Sequence, residues 1–170
     1  MKKIVILFVV FFSCGLIFFV NPINAQIDLP EGMTYEKVNP DREASYKIKR
    51  FKEKISSNLK FSKKSKIKFQ KELLNKRLAE IAYVVDNKLL SYTETSTGRY
   101  SATAGKLTEY LRKNKLSDEV DSMKLIFDSH EPSLKKARDE FSADRSEYRL
   151  FQYDIDYLNT YKKQLDEIKN

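Results

Sequence analysis

Val120, Met123, Phe127, His130, Leu134, Ala137 and Phe141 follow one another at intervals of three, four, three, four, three and four residues. A strand cannot use that spacing, because its side chains change face at every residue. A helix returns to the same face after three or four. The stretch is a heptad seam, which needs partner helices to cover it. Similar stripes recur at Ile48, Phe51, Ile55, Leu59; at Ile67, Leu74, Leu78, Ile81, Val85; at Tyr100, Ala104, Leu107, Leu111; and at Tyr148, Phe151, Ile155, Leu158, Leu165, Ile168. Breakers are scarce, with four Gly and four Pro in 170 residues. Turn-rich sandwiches and barrels are thereby excluded. The fold class that follows is all-α: a single antiparallel bundle of four to five helices, its short links making neighbours antiparallel.

Local signals place the ends. Asn39 caps a first helix over about 40–60, with Pro40 at its first position and Asp41 and Glu43 favouring its positive end. Ser62 caps a second helix over about 63–87. A third covers about 93–114, where Gly98 and Gly105 each cost about 1 kcal/mol relative to Ala and Gly105 permits close approach of another helix. Ser117 is read as the cap of the fourth, in which Pro132 removes the donor to the Asp128 carbonyl and predicts a kink. The fifth starts near Asp144 or Ser146. The domain organisation is residues 1–25 as a signal peptide or N-terminal anchor, 26–39 as an irregular lead-in or tether, and 40–170 as the helical bundle.

The leading segment is Met-Lys-Lys followed by an unbroken apolar run from Ile4 to Val20. A short basic region before such a run is an export signal. Pro22 ends it, and Ile23 and Ala25 form an acceptable cleavage site. The run is also near the lower limit for a membrane span, so an uncleaved anchor is the alternative. Cys14 is poorly placed for lipidation. Cleavage after Ala25 leaves a chain without cysteine, and its stability must then come from packing. The expected location is secreted or extracytoplasmic, in the cell envelope.

One passage is more particular than periodicity requires: YKIKRFKEKISSNLKFS from Tyr46 to Ser62, then KELLNKRLAEI from Lys71 to Ile81. Its Y-x-x-K-R-x-x-E and R-L-x-E elements (Tyr46, Lys49, Arg50, Glu53; Arg77, Leu78, Glu80) resemble an uncharacterised bacterial helical family found in exported or membrane-anchored proteins. The stretch from Gly98 to Leu111 is similar to the helix that often follows. The resemblance covers about residues 40–115. It implies an exported helical domain and no reaction.

Charge is unevenly distributed. Residues 41–80 hold 14 basic and 5 acidic residues, a net of +9, whereas 81–170 hold 15 and 16. The densest part is Lys60, Lys63, Lys64, Lys66, Lys68 and Lys71. Such a run suits an anionic membrane surface or wall polymer, and it also suits a plain solvated face. Export disfavours nucleic acid. Arg50, Glu53, Arg77 and Glu80 are expected to form structural ion pairs, either between helices or as i,i+3 pairs within them. His130, the sole histidine, is expected to be a packed core residue. Tyr153, Tyr157 and Tyr161, four apart, either flank a helix interface or offer a stacking surface for sugars or a protein partner. Asp154 and Asp156 point to different helix sides and make a poor catalytic pair.

One Cys and one His exclude zinc, iron–sulfur and disulfide scaffolds within one chain. No nucleotide-binding glycine loop, nucleophile elbow or metalloprotease motif is present. The expectation is a non-enzymatic protein without cofactor or metal, interacting with an envelope component: anionic lipid, wall polymer or protein partner. The alternative is an extracytoplasmic chaperone-like or stress-sensing accessory. The order Lys2–Lys3, apolar run, Ala25 predicts that exported material begins at Gln26. N-terminal sequencing checks this, and an intact Met1 in the membrane fraction would establish the anchor instead.

Overall fold

The computed structural model describes residues 26–35 and 62–169. The predicted signal segment, the end of the lead-in and the first predicted helix, with Arg50, Glu53 and Lys60, lie outside the described residues. Four helices follow in order: α1 Lys63–Asp86, α2 Thr93–Lys113, α3 Val120–Asp139 and α4 Ser146–Lys169. No strand occurs among the described residues. The chain is all-α, and the apolar stripes of all four helices meet in one core.

Helix starts and stops have local causes. Ser62 caps α1, its hydroxyl accepting from the Ser65 N–H at 3.1 Å. The triplet Asn-Lys-Leu ends both α1 and α2 in the same way. Asn87 and Asn114 donate their side-chain amides to the carbonyls of Tyr83 and Tyr110, at 2.8 and 2.9 Å. Lys88 and Lys115 then turn into the left-handed region, at φ 56° and 51°. Leu89 and Leu116 bond back to Val84 and Leu111, at 2.8 and 3.1 Å. These are Schellman closures with lysine where glycine is usual, at a cost of roughly 1 kcal/mol each. Ser117 does not cap a helix as expected. It opens a 3₁₀ turn, Ser117–Glu119, and α3 begins only at Val120. The tighter turn consumes the residues the capping signal had assigned to the helix. α3 continues through Pro132 as one helix.

Cross-helix contacts reveal the topology. Lys169–Asp121, Lys124–Asp166 and Lys162–Asp128 pair at 2.6, 2.7 and 2.9 Å, so residue numbers fall along α4 as they rise along α3: the two are antiparallel. Lys71 bonds Glu119 and Ser122, and farther along Asn75 bonds His130, so α1 and α3 run in the same direction. Ser101 meets Asp154 and Gly105 meets Tyr161, so α2 and α4 also run together. Helices consecutive in the chain alternate in direction. The bundle's sides are nonetheless α1–α2, α2–α4, α4–α3 and α3–α1.

The lead-in corrects the tether reading. Gln26–Tyr35 carries no helix, but it is a strap packed on the bundle, with Ile27 1% exposed. Asp86, the last residue of α1, accepts from the Ile27 N–H at 3.0 Å and from the Tyr35 hydroxyl at 2.7 Å. A carboxylate opposes the negative end of a helix, and these two donors offset that penalty. Ser133 donates to the Asp28 carbonyl, and Lys136 to the Asp28 carboxylate, at 2.5 and 2.8 Å. The strap is thus fastened to both α1 and α3.

The two helical glycines of α2 differ. A Cβ on Gly98 would meet nothing within 4 Å, whereas one on Gly105 would lie 2.7 Å from the Tyr161 hydroxyl and 3.2 Å from its Cζ. Tyr161 has little freedom to retreat, with the rings of Phe127 and Tyr157 centred 6.2 and 6.1 Å away. Gly98→Ala should therefore raise stability by about 0.5–1 kcal/mol from helix propensity alone. Gly105→Ala should lower it by about 1 kcal/mol or more through overpacking, and adding Tyr161→Phe should recover part of the loss. Denaturant melts of the four proteins check both signs.

Candidate functional site

The lysine run divides by surroundings. Lys63, Lys64 and Lys68 are exposed, while Lys66 and Lys71 are half-buried. Lys66 lies over the Tyr110 ring, 4.7 Å from its centre. Lys71 bonds Glu119 and Ser122, each at 2.6 Å, and holds the Glu119 carboxyl below its ordinary range. Two lysines therefore tie α1 to its neighbours, and three face solvent. No acidic residue occupies the first turn of α1.

Arg77 and Glu80 pair within α1 at 2.5 Å, with side chains 3% and 0% exposed. The expected i,i+3 pair within α1 is therefore present. Its burial makes it far more consequential than a surface pair, because a buried charge that loses a partner is not recovered by water. Arg50 and Glu53 lie outside the described residues.

A row of polar groups runs through the core. The Tyr100 hydroxyl of α2 lies 3.0 Å from His130 Nδ1 of α3, and His130 Nε2 lies 3.2 Å from Asn75 Oδ1 of α1. Asn75 Oδ1 only accepts, so Nε2 carries the proton and Nδ1 accepts from Tyr100. The neutral imidazole is fully satisfied. Desolvation pushes His130 down to about 3 and Tyr100 well above its ordinary value. Next to Tyr100 in the chain, and so turned toward a different neighbour, Ser101 contacts Asp154 of α4, which is 2% exposed. Burial pushes the Asp154 carboxyl up to about 7. Asp156 is exposed and bonds Gln152, so the two aspartates do face different sides. Asp154 was missed as a core residue, although it lies three residues after Phe151 and four before Leu158 and so falls on the seam.

The tyrosine stripe also divides. Tyr161 packs inward, whereas Tyr153 and Tyr157 are 56% and 48% exposed. Tyr153 borders a groove of about 510 Å³ between the start of α2 and the start of α4, with Leu90, Glu94, Arg149 and Leu150. Among the described residues no group of His, Cys, Asp and Glu is arranged to hold a metal ion, and no helix is long and apolar enough to cross a membrane.

The His130 geometry has a pH consequence. Its folded value is depressed below the unfolded 6.5, so its contribution is fully present above about pH 6.5 and is lost as pH falls toward 3. The stability of wild type minus that of His130→Leu should fall by up to about 1.4 kcal/mol per pH unit over that window. Melts from pH 4 to 8 check the difference. An imidazole that titrates near 6.5 by NMR would place His130 in solvent.

No curated protein and no solved structure matches the chain. A family model does, that of a domain of unknown function, DUF5667, over residues 37–144. The match takes in the Arg77–Glu80 pair and α1, α2 and α3, and it stops just before α4. The chain belongs to the DUF5667 family, a family of helical domains without an assigned activity.

Proposed function

We propose that this protein is an exported, non-enzymatic helical protein that binds an anionic component of the cell envelope, lipid or wall polymer, through the lysine-rich start of α1. The observation that carries the reading is the charge at that end. Lys63 and Lys64 stand in the first turn with no acidic residue beside them, and Lys68 follows one turn on. Cations at the positive end of a helix dipole destabilise it. Lys63 and Lys68 are exposed, and Lys64, also exposed, acts on the Glu119 carboxyl only at a distance, the close ion pair there being made by Lys71. Their positions therefore work against helix stability and suit an external anion. The export signal in residues 1–25 supplies the compartment in which such anions are met.

A second reading, a chaperone-like accessory, draws on the groove beside Tyr153 and Leu90, both exposed. Suppression of aggregation of a denatured client, unaffected by salt, would favour it.

Reversing Lys63, Lys64 and Lys68 to Glu changes the local charge by −6, two per site. Lys66 and Lys71 are left in place because they hold α1 to its neighbours. Co-sedimentation with phosphatidylglycerol vesicles, or with an anionic wall polymer, should be lost in the triple variant. Wild-type binding should weaken steeply between about 0.05 and 0.3 M salt as screening lengths shorten. Equal binding by the variant would reduce this surface to a solvated face.

A further inference from the structure

Ser101 Oγ has one proton and two oxygens within reach. It lies 3.1 Å from the Thr97 carbonyl, one turn back on α2, and it contacts Asp154 Oδ1 across the α2–α4 interface. With Asp154 ionised, the single Ser101 proton is shared between Asp154 Oδ1 and the Thr97 carbonyl. With Asp154 protonated, the carboxyl O–H can donate to Ser101 Oγ and leave the Ser101 O–H to the Thr97 carbonyl alone, so that each contact has its own proton. Asp154 Oδ2 is buried without a hydrogen-bond partner. An ionised carboxylate there would hold charge on an oxygen with nothing to compensate it.

The helices packed against α4 are α2 and α3. From α2, the groups that face Asp154 are the Ser101 and Tyr100 hydroxyls. From α4 itself, Tyr161 senses its charge. α3 contributes His130, neutral and committed on both nitrogens to Tyr100 and Asn75. No ammonium or guanidinium pairs with Asp154 among the described residues.

We propose that Asp154 is a neutral carboxyl latch between α4 and α2, closed while protonated and released on ionisation above neutral pH, so that the carboxyl-terminal helix loosens on the alkaline side. Desolvation, the larger influence, raises this carboxyl from 3.8 to about 7, and the Ser101 bond opposes it only in part. A carboxyl raised in the fold binds its proton more tightly there than in the unfolded chain. Its contribution is full below about pH 4 and is lost as pH rises to about 7. His130 has the opposite sense. Between about pH 4 and 6.5 the slopes of these two groups oppose, so their contributions offset one another.

The test uses the full chain as exported, with Asp154→Asn, which keeps a neutral side chain of the same shape. The Asp154 carboxyl, followed by carbon NMR, should titrate with a midpoint about 7. A midpoint at or below 4 overturns the proposal. The folding equilibrium constant of wild type relative to Asp154→Asn should fall by as much as roughly 10³-fold between pH 4 and 8, the equivalent of a shift of about three units. A ratio that stays constant overturns it. Amide exchange along Phe151–Leu158, corrected for intrinsic rates, should lose protection in wild type between pH 6 and 8. Unchanged protection means the ionised carboxylate is tolerated and no latch exists. If Asp154→Asn does not fold, the wild-type titration and exchange decide the matter.

Discussion

A hydroxyl, an imidazole and an amide in line, Tyr100–His130–Asn75, join α2, α3 and α1 inside the core. Apolar side chains around them supply most of the driving force, but apolar contact is non-directional and tolerates sliding by a turn. A buried imidazole does not. Slip any of the three helices and at least one polar group is stranded away from water, at roughly 1–3 kcal/mol per group. The line therefore sets the register of three helices at once. Its neutrality is a condition of the arrangement, since a second proton on His130 would face the Tyr100 hydroxyl donor to donor.

The fourth helix is registered separately. α4 meets α3 through a ladder of exposed or half-exposed ion pairs, Lys124–Asp166, Lys162–Asp128 and Lys169–Asp121. Each such pair contributes only a few tenths of a kcal/mol to about 1. The more demanding contacts are on its α2 side, where Gly105 admits the Tyr161 ring and Ser101 meets Asp154. The family match ends before this helix. The core that α1, α2 and α3 leave open is closed by Phe151, Ile155, Leu158 and Leu165, all buried.

The Asn-Lys-Leu closures show how little of the chain is spent on turns. Two helices end with the same three residues, and each is followed by a 3₁₀ turn that starts the next helix. Lysine in the left-handed region is less comfortable than glycine, yet it keeps a charge at the helix's negative end, where the dipole favours it. At the start of α1 the same residue type stands where the dipole disfavours it. The contrast separates lysines that serve the fold from lysines that serve solvent or a partner.

Helical class, the seams and the burial of His130 were legible in the sequence because a period of 3.6 residues dictates which side chains share a face, whatever the face packs against. Ile67, Leu74, Leu78, Ile81 and Val85, all buried, follow from that period alone. The ends of helices were legible where one side chain acts on its own backbone, as at Ser62, and less so at Ser117, where a tighter turn competed. Tertiary structure alone decided the rest. Periodicity names a face but not its partner, so the sequence did not say that α1 lies beside α3 in the same direction, that Arg77 and Glu80 are sealed from water, or that Ile27 and Tyr35 strap the lead-in onto Asp86. Nor could spacing reveal that the tyrosine stripe divides, Tyr161 inward and Tyr153 outward, since that depends on the one glycine opposite. Burial and its electrostatic consequences arise only when separate stretches of chain exclude water from one another.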